Sequence, residues 1–141
     1  MSSVRKKDQS EHRFTTLDII LDMYDHTTTV IANPKFEKCK DIADRIEREA
    51  ALIYHLCRSA NEDHDNRNAD EAKVRLRLQD EAISHCLWLK TDIRLAQRLL
   101  HLSAKKVIYW TGLVNKAIAA IKNWQSAEYK NYIKLKTGAV G

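Results

Sequence analysis

The sequence predicts an all-α protein, an up-down antiparallel four-helix bundle of one domain, and three observations carry that prediction. Glycine (three residues) and proline (one) fall far below their usual shares of about 7% and 5%, so turn-rich β architectures lack the residues they lean on. Apolar residues recur at steps of three and four along most of the chain, the period of an amphipathic helix. The 141 residues, 44% hydrophobic and 30% charged, suffice for one core and not comfortably for two.

The bundle is expected over residues 15–127, between a flexible basic arm at 1–14 and a basic, partly frayed tail at 128–141. Thr15 or Thr16 can cap the first helix by accepting a backbone N–H bond. Leu17, Ile20, Leu21, Tyr24, Thr28 and Ile31 then share a face, and Asp18 and Asp22 suit the positive end of the helix dipole. Asn33-Pro34 closes the segment, because the residue before proline is pushed out of the α region. The second helix is the most regular: Phe36, Cys39, Ala43, Ile46, Ala50, Ile53 and Cys57 alternate steps of three and four, a heptad seam. Residues 58–68 have no apolar period and read as the longest loop, with Asn68 or Asp70 able to cap the third helix. That helix is expected over 69–100, with Leu78, Ala82, Cys86, Leu89, Ile93, Ala96 and Leu100 as its main stripe. A corner at Leu102-Ser103 is short enough to make helices three and four antiparallel neighbours, and Ser103 can cap the fourth. Val107, Trp110, Val114, Ala117, Ile121 and Trp124 repeat the same stepping there.

Catalytic chemistry finds little to work with, and no enzyme is expected. No Glu is followed three places later by His, and neither His-Glu-x-x-His nor Cys-x-x-Cys occurs, so no metal site and no cofactor are expected. His85 and Cys86 are adjacent on a helix and point about 100° apart, too far for a nucleophile–base pair. His55 and His101 read as half-buried packing residues. The acidic stretch at 62–65 lacks the glycine and closing glutamate of a calcium loop. Three cysteines, an odd number on core stripes, do not make a disulfide framework. The polar N-terminus has no apolar h-region and no apolar run reaches the roughly 18 residues of a membrane span, so the cytoplasm is the expected compartment and no membrane partner is expected.

Charge is more informative. Residues 1–71 hold 11 Lys/Arg against 15 Asp/Glu, a net −4, and residues 72–141 hold 13 against 4, a net +9. A half-chain at +9 attracts phosphate backbones by long-range steering and counterion release, or serves as a solubilising surface. Within it, Lys90, Arg94, Arg98 and His101 succeed one another at +4, +4 and +3, a ridge with no acidic partner four residues away. Arginine forks suit phosphate there, and a solvated face is the plain alternative. Lys105 and Lys106 occupy the first turn of helix four, where the macrodipole disfavours cations by about 0.3–1 kcal/mol each. A bound phosphate would reverse that penalty. Lys116 lies eleven residues beyond Lys105 on the same side, with Tyr109 between them. The tail adds Tyr129, Lys130, Tyr132, Lys134 and Lys136, a mixture that suits single strands or simply covers the bundle end. An apolar stripe, Trp88, Leu95 and Leu99, lies opposite the core stripe of helix three and needs a partner of its own. Self-association is the preferred account; cover by the arm or tail is the other.

Residues 89–103, Leu-Lys-Thr-Asp-Ile-Arg-Leu-Ala-Gln-Arg-Leu-Leu-His-Leu-Ser, with Tyr109, Leu113, Ile118 and the Trp-Gln-Ser of 124–126, carry a family resemblance. This stretch resembles the accessory variability determinant proteins of diversity-generating retroelements, themselves distantly similar to the bundle proteins encoded in ribosomal RNA intervening sequences. The likeness is clearest over residues 86–126, and the first two helices agree in length and pattern only. It implies a small basic four-helix bundle, assembled as a pentamer, that binds a reverse transcriptase and supports copying of a template RNA into cDNA. Lys90, Arg94 and Arg98 match the basic positions of the family's run. The chain departs from the family just before Trp124, where residues 119–123 read Ala-Ala-Ile-Lys-Asn in place of a glycine-containing stretch.

Two functions are therefore expected to compete. In the first, Lys90, Arg94, Arg98, Lys105, Lys106 and Lys116 contact phosphates of RNA or cDNA, and Trp88, Leu95 and Leu99 build the oligomer. In the second, the chain is a helical protein–protein adaptor of the intervening-sequence type with no nucleic-acid role.

Overall fold

The computed structural model describes the backbone of residues 2–138 and the side chains of residues 15–138. Four helices occur in order: α1 (Ser2–Ile31), α2 (Lys40–Glu62), α3 (Ala69–Leu100) and α4 (Ala104–Thr137), with a 3₁₀ segment at Pro34–Cys39 between the first two. Each helix packs on its two neighbours around the ring, α1 on α2 and α4, α3 on α2 and α4. The chain is a four-helix bundle, and no strand occurs among the described residues.

Helix ends are set by local chemistry. Asn33 Oδ1 accepts the Lys35 N–H at 3.0 Å, and Pro34 with its fixed φ opens the 3₁₀ segment. The expected second helix therefore begins at Lys40 and not at Phe36, and Phe36 instead plugs the bundle end, 2% exposed. Asn68 caps α3 by accepting the Asp70 and Glu71 N–H groups. His101 ends α3 in the left-handed region (φ 54°), and the Leu102 N–H reaches back to the Gln97 carbonyl at 3.2 Å, a Schellman closure. Ser103 Oγ then accepts the Lys106 N–H and caps α4 as expected.

The core is a set of heptad seams. Ile46, Ala50, Ile53 and Cys57 from α2 meet Ala82, Cys86, Leu89, Ile93, Ala96 and Leu100 from α3. Val107, Trp110, Val114, Ala117, Ile121 and Trp124 close it from α4. Alternating steps of three and four on every helix are what knobs-into-holes packing requires.

Four expectations need correction. On α1 the buried line is Thr16, Ile20, Met23 and Thr27, while Leu17, Leu21, Tyr24, Thr28 and Ile31 are its half-buried flanks. Thr27 can sit at the centre because its hydroxyl donates to the Met23 carbonyl (2.7 Å) and accepts the Trp110 Nε1–H (3.0 Å). On α3 the seam continues toward the N-terminus through Gln79 and Arg75, displacing Leu78 to the flank. Residues 128–137 of the expected tail continue α4 without a break, and Gly138 closes the helix at φ 68°. Glu128, 3% exposed, holds it in place, because its carboxylate accepts the Arg75 Nε–H at 2.5 Å and the Asn131 Nδ2–H at 3.1 Å. At the other end α1 starts at Ser2 and not at Thr15 or Thr16; the side chains of the expected arm, 1–14, lie outside the described residues, as do residues 139–141.

Candidate nucleic-acid interface

Ion pairs and hydrogen bonds orient α3 between its neighbours. On one flank Asp92 accepts both Arg45 nitrogens of α2 (3.0 and 3.1 Å), and His85 Nδ1 meets Glu49 at 2.6 Å. On the other, Asp80 accepts the Gln125 Nε2–H of α4 at 2.5 Å. Counting about 100° per residue, Arg98 has the same azimuth as Asp80, and Arg94 and Leu87 lie within about 40° of it. The basic ridge therefore runs from Lys90, half-buried on the α4 flank, through exposed Arg94 to Arg98, which is about 180° from buried Leu89 and faces outward. Leu99 lies within about 20° of Asp92, and Trp88 within about 40°, so the apolar stripe faces out on the α2 flank. The centres of the two features are about 120° apart around the helix, with Leu95 and Arg98 about 60° apart.

Among the described residues, Lys90, Arg94, Arg98, Lys105, Lys106 and Lys116 form no ion pair. Arg45, Arg58, Arg67 and Arg75 all do, with Asp92, Glu62, Asp65 and Glu128. Four acids thus serve ion pairs with Arg45, Arg58, Arg67 and Arg75, and residues 72–141 hold 13 Lys/Arg against 4 Asp/Glu.

The sequence-predicted cations do not form a single patch. Lys105 and Lys106 stand exposed at the bundle end where Arg98 and His101 also lie, and Lys35 of the 3₁₀ segment joins them across a small cleft with Asn33, His101 and Lys106. Sequence reasoning missed Lys35, because only the 3₁₀ turn brings it beside α4. Lys116 is about 16 Å from Lys105 along α4, within about 20° of the same azimuth, with Tyr109 (61% exposed) and Gly112 between. An added Cβ at Gly112 would meet nothing within 4 Å, so this line is open to a ligand. The tail residues belong to the opposite end: Lys130 is about 37 Å from Lys105 along the helix. There Lys136 Nζ lies over the Tyr132 ring at 5.8 Å.

Trp88 (62% exposed), Leu95 and Leu99 form the apolar stripe, and Leu52 of α2 is exposed as well. α4 remains in line beyond residue 127 and does not fold back over them.

Other chemistry is sparse. Burial pushes the Cys57 and Cys86 thiols up to about 12, so neither is a nucleophile near neutral pH. No group of three His, Cys, Asp or Glu side chains is placed to hold a metal ion among the described residues. No described helix is long and apolar enough to cross a membrane.

One element was invisible in the sequence. Between the C-terminal end of α1 and the first turns of α4 lies a cavity of about 640 Å³. Its signal was divided among His26, Phe36 and Trp110, which no local pattern connects. Comparison with family models, with characterised proteins and with solved structures returns no match for this chain.

Proposed function

We propose that the protein is a non-catalytic nucleic-acid-binding accessory protein that associates with a reverse transcriptase and its template RNA and cDNA in a diversity-generating retroelement. The observation that supports this best is the set of unpaired cations on the outer α3/α4 groove and the adjoining bundle end, in a half-chain of net +9. Lys90 and Arg94 flank the groove, Arg98 faces outward near the end that Lys105 and Lys106 dress, and Lys116 extends the line along α4. These contacts are to phosphates, so they position a strand without reading bases. The polymerase partner rests on the resemblance of residues 86–126. Trp88, Leu95 and Leu99 serve self-association, for which the resemblance suggests a pentamer.

Fluorescence anisotropy with a structured RNA and with a single strand, from low to moderate salt, tests the reading. Binding should weaken steeply with salt, and Arg94→Glu/Arg98→Glu should weaken it for all sequences. Loss of two contacts flattens the log–log salt slope by about 1.4 for a single strand and about 1.8 for a duplex. Unchanged binding in the folded double variant would remove the ridge from the site. No binding even at low salt would transfer the function to the apolar stripe, as a protein–protein adaptor.

A further inference from the structure

The cavity between α1 and α4 has the makings of a small-molecule site. Phe36, Val107 and Trp110 are 2%, 7% and 1% exposed and form its floor, with Val30 on one wall. His26 and Tyr109 make the lip, their rings edge-to-face at 4.9 Å. The exposed amines of Lys105 and Lys106 belong to the same rim, and none of its lining residues is an acid. Its volume falls within the roughly 300–1,000 Å³ of sites that take drug-sized molecules.

The interior selects against a nucleobase. Much of its polar lining is already engaged, Asn33 Oδ1 with the Lys35 N–H, Ser103 Oγ with the Lys106 N–H and the Thr29 hydroxyl with the Asp25 carbonyl, which leaves the His26 ring and the Asn33 Nδ2 amide. A base placed there would lose water from its hydrogen-bonding edge and find only the His26 ring and the Asn33 amide to replace it. The rings offer no parallel slot either, since His26–Tyr109, His26–Trp110 and Phe36–Trp110 stand at 72°, 74° and 72°. An apolar body has no such edge to satisfy, and it gains from every apolar wall it covers. The rim then asks for charge opposite to its own.

We propose that this cavity binds a small amphiphilic acid, an alkyl or aryl body seated against Phe36, Val107 and Trp110 with one carboxylate, sulfonate or phosphate end at Lys105 and Lys106. The site goes beyond the nucleic-acid reading and does not depend on it. The two share the rim lysines, so an acid in the cavity competes with a strand bound at that end.

The full chain labelled with ¹⁵N offers three tryptophan indoles, Trp88, Trp110 and Trp124, as reporters. Dodecanoate below its micelle concentration should shift the Trp110 indole saturably, leaving Trp88 and Trp124 in place. Dodecan-1-ol should bind at least about tenfold more weakly, and Lys105→Glu/Lys106→Glu should weaken dodecanoate by a similar factor. Thr29→Trp, a change at an exposed wall position, should block the cavity while circular dichroism shows an intact fold. Dodecanoate that leaves Trp110 unmoved, or that shifts Trp88 instead, overturns the proposal. So does alcohol binding as tightly as acid, or unchanged affinity in the lysine variant. Adenosine monophosphate shifting Trp110 where dodecanoate does not would assign the cavity to a base and overturn it as well.

Discussion

Removal of the Arg75 guanidinium should be among the most costly single changes in the molecule. Arg75 and Glu128 are 3% and 2% exposed at their side chains, and Arg75 also donates to the His64 carbonyl (2.9 Å) and the Asn61 carbonyl (3.4 Å). Arg75→Met keeps the unbranched stem without the guanidinium and leaves the Glu128 carboxylate buried against Asn131 alone. A buried charge stripped of its partner costs about 3–5 kcal/mol, a large part of the 5–15 kcal/mol that holds a typical domain together. At roughly 2–4 °C per kcal/mol for a chain of this size, Tm should fall by about 6–20 °C. Arg75→Met/Glu128→Leu removes both charges and should recover to within about 1–2 kcal/mol of the parent. Urea unfolding followed by tryptophan fluorescence on the four members of the cycle measures the coupling. The pair lies at the end of the bundle away from Lys105, so RNA binding by the folded single variant should be unchanged. A single-variant cost below about 1 kcal/mol, or a coupling near zero, would refute the view that this pair anchors the last turns of α4.

The same geometry sets four further outcomes. With Cys57 and Cys86 at about 12, a thiol reagent at pH 8 should modify only half-buried Cys39 in the native protein and all three cysteines in urea. Below the usual thiol value of 9 both folded and unfolded chains keep these protons; from 9 toward 12 the unfolded chain alone loses them, so alkaline titration should lower Tm over that window. Gly112→Ala should raise stability by about 0.5–1 kcal/mol, since the added methyl meets nothing and helical glycine is costly; weaker strand binding in that variant would show close approach of a phosphate to the α4 backbone. Trp88→Glu should shift sedimentation equilibrium toward monomer without changing Tm by more than a degree or two, and an unchanged association state would remove the α2-flank stripe from the interface.

Helical class, the corner at Leu102-Ser103 and the seams of α2 and the apolar part of α4 were legible in the sequence because they are local properties. Period, caps and the scarcity of glycine and proline act within a few residues and need no partner. The same holds for the charge asymmetry and for the exposed spacing of Trp88, Leu95 and Leu99. What the tertiary structure alone decided concerns residues whose character depends on a distant neighbour. Thr27, Arg75 and Glu128 read as surface residues until Trp110, 83 positions from Thr27, and the Arg75–Glu128 pair, 53 apart, satisfy their polar atoms. Burial of a polar group is set by its partner, and sequence spacing carries no record of the partner. The division of the cations into an α3 groove, a bundle end and a distant tail arises the same way, from which flank of each helix meets its neighbour. The cavity beneath Lys105 and Lys106 is the clearest case, since its walls come from α1, the 3₁₀ turn and α4, and only the packing of those elements creates the space.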